Sequence, residues 1–106
     1  MNDFMRQAHA VNRFINTLSD HRDLIGERVD IIRAALSDID ISSKVSEDVA
    51  HSVSSLGIQI DVQNPSFAFK QLQDELRISV YEYQFIEAQM KEISDYFSSF
   101  FSYPGK

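Results

Sequence analysis

Residues 65–102 read PSFAFKQLQDELRISVYEYQFIEAQMKEISDYFSSFFS, and the spacing of side chains within them decides the fold. A seam runs through Phe69, Leu72, Leu76, Ser79, Tyr83, Ile86, Met90, Ile93, Phe97 and Phe100, in steps that alternate between three and four. That alternation keeps every member on one stripe of an α-helix. A second stripe lies beside it at Ile78, Tyr81, Phe85 and Ala88, while Tyr96 and Phe101 fall off the main seam near the end. Ten of the twelve aromatic residues lie from Phe67 onward, so this helix is apolar on more than one side and needs cover on more than one side.

Working back along the chain, Phe4, Ala8, Val11, Ile15, Leu18, Arg22, Ile25, Val29, Ile32, Leu36 and Ile39 repeat the same period over about five heptads. This spacing predicts one long helix over residues 3–39. Its middle is weak, because Gly26 costs roughly 1 kcal/mol in a helix interior. Ser19-Asp20-His21 could instead cap a fresh helix, so a break between Ser19 and Asp23 is the alternative.

Between the long helices, Asp40-Ile41-Ser42-Ser43 reads as a joint. Val45, Val49, Val53 and Leu56 then share a face of a short helix over 43–56, which Gly57 can close in the left-handed conformation. Ile58 to Val62 alternates like a strand but has no second strand to pair with, so residues 58–64 are expected to be an extended linker. Asn64 can cap the last helix and Pro65 suits its first turn. Tyr103-Pro104-Gly105-Lys106 ends it. The expected fold is all-α: one helical domain of 106 residues, with two long heptad-patterned helices forming an antiparallel hairpin and a short helix in the connection.

Composition narrows the function. With 16 acidic against 10 basic side chains the formal net charge is −6, so clustered Lys and Arg for binding phosphate are missing. The densest basic stretch, Arg22 to Arg33, is interleaved with Asp23, Glu27 and Asp30, as on a solvated helix face. There is no Cys, which removes disulfides, thiolate metal sites and a thiol nucleophile. No stretch is apolar enough to span a membrane, and Met1 to Arg6 lack the layout of a cleavable signal. The expected location is the bacterial cytoplasm, or outside it after export without such a signal.

No nucleotide-binding, hydrolase or zinc-protease motif is present. Asp20-His21-Arg22-Asp23 is the one local cluster with catalytic residue types, yet neither a nucleophile nor a pocket accompanies it. The paired acids Asp38/Asp40, Glu47/Asp48 and Asp74/Glu75 lack the regular ligand spacing of a Ca²⁺ loop. Charged helix turns explain them better. No catalytic residue, metal or cofactor is expected, and the chain reads as a non-enzyme.

Two polar residues interrupt the seams. Arg22 and Ser79 either set register for a specific partner, or serve locally, with Arg22 reaching solvent at a helix break and Ser79 permitting close packing. The aromatic tail, Tyr96, Phe97, Phe100, Phe101 and Tyr103, spreads further around the helix than the roughly 100° stripe one antiparallel helix covers. A helical protein partner, or further copies of the chain, is therefore expected to supply the rest of the cover; the alternative is that the tail is intramolecular core against the first helix.

The C-terminal 40 or so residues carry a layout of Asn64-Pro65, Leu72-Gln73, Leu76, Ile78 and then a long helix through Tyr83, Ile86, Met90 and Ile93. This resembles the small rod and needle subunits of bacterial type III secretion systems, and flagellar rod-adaptor proteins are similar in layout. The resemblance implies a helix packed into a hollow helical tube, with Phe69, Leu72, Leu76, Tyr83, Ile86, Met90 and Ile93 facing neighbouring subunits. It also implies export without a cleavable signal. A soluble helical-hairpin chaperone, adaptor or toxin-neutralising binding protein is the alternative that size and charge fit equally.

Overall fold

The computed structural model describes residues 3–102, with the side chains of Phe4, Phe100, Phe101 and Ser102 excepted. Three helices follow in order: α1 (Asp3–Asp38), α2 (Glu47–Ser54) and α3 (Pro65–Ser102). The chain is all-α, a hairpin of two long helices with a short one between them, and no strand occurs among the described residues. It measures 65 × 23 × 14 Å, with a radius of gyration of 20.2 Å. A compact chain of about 100 residues has roughly 13 Å. An extended hairpin exposes far more side-chain surface than a globule, and this matters for what it can bind.

Helix α1 continues through Ser19–Asp23 without a break. Tertiary packing explains why its weak points survive: Gly26 sits against the Tyr83 ring, where a Cβ would come within 3.3 Å of Cε2. The glycine lets the two long helices approach closely there. Arg22 lies within the continuous helix instead of escaping at a break. One guanidinium nitrogen reaches Glu87 on α3 at 3.5 Å, another lies 3.3 Å from both Ser19 Oγ and Asp23 Oδ1, and Nε is buried without a hydrogen-bond partner.

The connection shows why α2 starts later than residue 43. Ser43 N–H donates to the Asp40 carbonyl, and the Asp40 carboxylate accepts from both the hydroxyl and the N–H of Ser42. These two bonds, the hydroxyl first, hold the Asp40 pKa below its ordinary value. The tight turn delays the helix until Ser46, whose side chain accepts from Val49 N–H as an N-cap, with Glu47 and Asp48 in the first turn.

Beyond α2, Gly57 has φ +81°; its N–H donates to Ser54 O, and Ile58 N–H donates to Val53 O. That is the Schellman pattern, closed by the apolar pair Val53 and Ile58 in the core. Gly57→Ala is expected to cost about 1 kcal/mol in urea unfolding, since a Cβ disfavours this backbone conformation. An unchanged midpoint would show that the turn relaxes freely.

Residues 58–62 alternate without forming a sheet. Ile58 is buried, Ile60 and Val62 are half-buried, and Gln59 and Asp61 are exposed. The segment is an extended strap laid along the core, with Val45 N–H donating to Val62 O at 2.9 Å. Asn64 then caps α3, its side-chain oxygen accepting from Phe67 N–H.

The core has two parts. Near the connection, Ile32, Ala35, Val45, Val49, Val53, Ile58, Ala68 and Leu72 are buried together, so α1, α2, the strap and α3 close around them. Further out the hairpin is only two helices thick, and Ile25, Val29 and Ile86 form a smaller cluster flanked by Leu18, Leu76, Val80, Tyr83 and Met90. Toward the open end Ala8, Val11, Ile15, Ile93 and Phe97 are only half-buried, because no third element among the described residues lies over them.

Candidate interaction surface

Much of the aromatic seam is satisfied within the chain. Leu72 is fully buried in the core beside the connection, and Leu76, Tyr83, Ile86 and Met90 pack with α1 residues. Phe69, Ile93 and Phe97 are half-buried, and Tyr96 is exposed. Phe100 and Phe101 lie outside the described side chains, as does Tyr103-Pro104-Gly105-Lys106. The residues expected to face neighbouring subunits are thus mostly those that join α3 to α1.

The second stripe is different. Ile78 is 50% exposed, Tyr81 70% and Phe85 54%, with Ala88 exposed on the same face and exposed Phe67 about three turns before Ile78. At 100° per residue these positions lie on the outer side of α3, well away from the seam that faces α1. Fully burying a ring or an Ile in place of leaving it in water contributes about 1.5–3 kcal/mol. A run of large apolar side chains at heptad spacing is what a helix partner covers.

Beside this stripe, Glu82, Phe85, Ile86 and Gln89 of α3 face Leu18, His21 and Ile25 of α1 across an open groove that Tyr81 borders. Helix α2 covers the hairpin nearer the connection and leaves this stretch open. Exposed Phe14 and Leu24 add apolar surface on α1. His21, expected on a charged helix turn, is exposed at the rim of the groove, with Asp20 and Asp23 also exposed.

One polar junction links the elements behind this surface. The Arg28 side chain leaves α1 and makes three bonds: Nε to Ser79 Oγ at 3.1 Å, one terminal nitrogen to Leu56 O at 3.0 Å, and the other to Glu75 Oε1 at 2.9 Å. A planar guanidinium can serve three acceptors in fixed directions, which a lysine cannot. Ser79, 1% exposed, is therefore a hydrogen-bond acceptor in the seam as well as a small residue that allows close approach. The junction ties α1, the turn after α2 and α3 together at one level, and so fixes their register.

Sequence reasoning missed Arg28 because it flanks the first seam instead of interrupting it; a lone basic residue near Ile25 and Val29 carries no visible sign of a partner 47 to 51 residues away. Among the described residues no three His, Asp or Glu side chains converge as metal ligands, and no helix is long and apolar enough to cross a membrane. Compared with known proteins, the chain matches no family model, and neither curated proteins nor solved structures give a significant match.

Proposed function

We propose that this chain is a non-enzymatic helical assembly protein that uses the outer face of α3 to dock against helical partners or further copies of itself. The observation that carries the reading is the exposure of Ile78, Tyr81 and Phe85 on a helix whose opposite seam is already packed against α1. A hairpin that has covered its own seam and still presents a heptad-spaced apolar stripe has surface to spare for association. In the form suggested by the resemblance to type III secretion rod and needle subunits, the chain is a structural subunit of a bacterial secretion apparatus, exported without a cleavable signal.

Phe85→Asp tests this role. The side chain is half exposed, so helicity and unfolding midpoint should stay within about 0.5 kcal/mol of the parent. Sedimentation should show assembly weakened or abolished, because a charge then sits in the middle of the apolar stripe. Assembly that survives unchanged in the folded variant sinks the reading.

A soluble hairpin binding protein (chaperone, adaptor or toxin-neutralising partner) is the second reading. The Arg28 junction favours it, since a hairpin held by its own partly buried polar contacts has less need of a polymer lattice to fold. Solution size separates the two. Long polymers support the structural subunit; a discrete complex of defined stoichiometry supports the binding protein.

A further inference from the structure

The outer stripe of α3 has charged flanks of opposite sign. With Ile78 and Phe85 taken as the first core position of successive heptads, and Tyr81 and Ala88 as the second, the residues on one flank are Lys70, Arg77, Gln84 and Lys91. On the other flank they are Glu75, Glu82 and Gln89. In a two-stranded helical pair, flanking residues choose both partner and orientation. A parallel, in-register pair sets each residue of the first flank against the residue five positions later on the second helix. It therefore joins Arg77 to the Glu82 of the other copy, while Gln84 meets its Gln89; Glu75 stays with Arg28 of its own chain. An antiparallel pair centred on the same stripe sets basic flank against basic flank, bringing Arg77 near Lys91 and Glu82 near its own counterpart.

We infer that a second copy of this chain docks on the Ile78–Tyr81–Phe85–Ala88 face, with the two α3 helices parallel and in register. The inference rests on the assembly role proposed above, and names the partner and its orientation. Glu82 is exposed and makes no ion pair among the described residues, while Arg77 is 72% exposed and held only by Asp74 one turn away at 3.3 Å. Both can reach across. The seam is short: Asp74 and Glu92 occupy the next core positions on either side, where identical acids would face each other. Those acids confine the contact to the two central heptads and penalise registers that slide the apolar stripe along itself. Bulk alternates favourably along it, since the small Ala88 layer lies next to the paired Phe85 rings.

The absence of native cysteine makes the orientation directly readable. Ala88→Cys in the full chain puts a single thiol at an exposed core position of the pair. In the parallel arrangement the two thiols face each other, and mild oxidation should give a covalent dimer of twice the 12.2 kDa chain. In the antiparallel arrangement Ala88 faces Ile78 of the other copy, about 15 Å along the helix from its own counterpart. Then Ala88→Cys alone stays monomeric under oxidation, and only a mixture with Ile78→Cys links.

Sedimentation of the unmodified chain from about 1 µM to about 1 mM should show a reversible monomer–dimer equilibrium, as suits a short interface. Glu82→Arg should weaken it about tenfold, and adding Arg77→Glu should restore it. A monomer throughout that range overturns self-pairing but leaves the assembly role open to a foreign partner. A dimer linked only by the mixed thiols overturns the orientation. A dimer untouched by Phe85→Asp sinks this inference together with the assembly role.

Discussion

Leu72→Ala is expected to lower the stability of the chain by about 3–4 kcal/mol, the largest effect of any single change considered for this protein. Leu72 is fully buried at the place where all parts of the chain meet, among Ile32, Val45, Val49, Val53, Ile58 and Ala68. Truncation removes the transfer free energy of three carbons and leaves a cavity that cannot easily collapse. The walls are contributed by α1, α2, the strap and α3. Urea unfolding followed by helicity should show the midpoint falling with little change in slope. The same truncation at Ile93, half-buried near the open end, should cost about 1 kcal/mol, because water already reaches that site. Equal losses at the two positions would contradict the graded core and point to cover of the open end by another chain.

Arg28→Met should cost about 2 kcal/mol, although it adds apolar volume and good helix propensity to α1. The loss comes from what the guanidinium leaves behind: the buried Ser79 hydroxyl, the Leu56 carbonyl and the Glu75 carboxylate. The Arg28 and Glu75 side chains are 29% and 38% exposed, so water screens the ion pair and the buried hydroxyl supplies much of the penalty. Arg28→Lys should recover little, since one ammonium cannot satisfy acceptors in three directions. A double-mutant cycle with Ser79→Ala separates the contributions: if the hydroxyl bond matters, the two losses should be clearly less than additive. Full additivity would mean that Arg28 acts through packing of its stem alone.

The two predictions draw on different layers of information. That Leu72 is core can be read from its place in the seam. That Arg28 is a junction cannot, because nothing in the local pattern distinguishes it from Arg33, which is exposed. The short helix shows the same division. Its apolar face at Val49 and Val53 follows from spacing, but its start at Glu47 depended on the turn made by Asp40 and Ser42. Likewise the alternation from Ile58 to Val62 is matched by alternating burial, whereas the surface beneath it came from the closing of the hairpin.

The candidate interaction surface was half legible. Both stripes of α3 stand in the sequence, and their joint presence implied more cover than one helix provides. Which stripe meets α1 and which faces water depended on the complementary seam of a helix some fifty residues away. Folding assigned Leu72, Leu76, Ile86 and Met90 to the inner side and left Ile78, Tyr81 and Phe85 outside.

The sequence by itself determined two long helices, the joints between them and the all-α class, because side-chain period, caps and helix breakers act over a few residues. Only the tertiary structure decided the continuity of α1 through Arg22 and Gly26, the three-way bond of Arg28, and the side of α3 left open. Those outcomes depend on groups brought together from opposite ends of the chain. A hydrogen bond between residues 51 positions apart, or a glycine that admits a tyrosine ring, has no local periodicity to announce it.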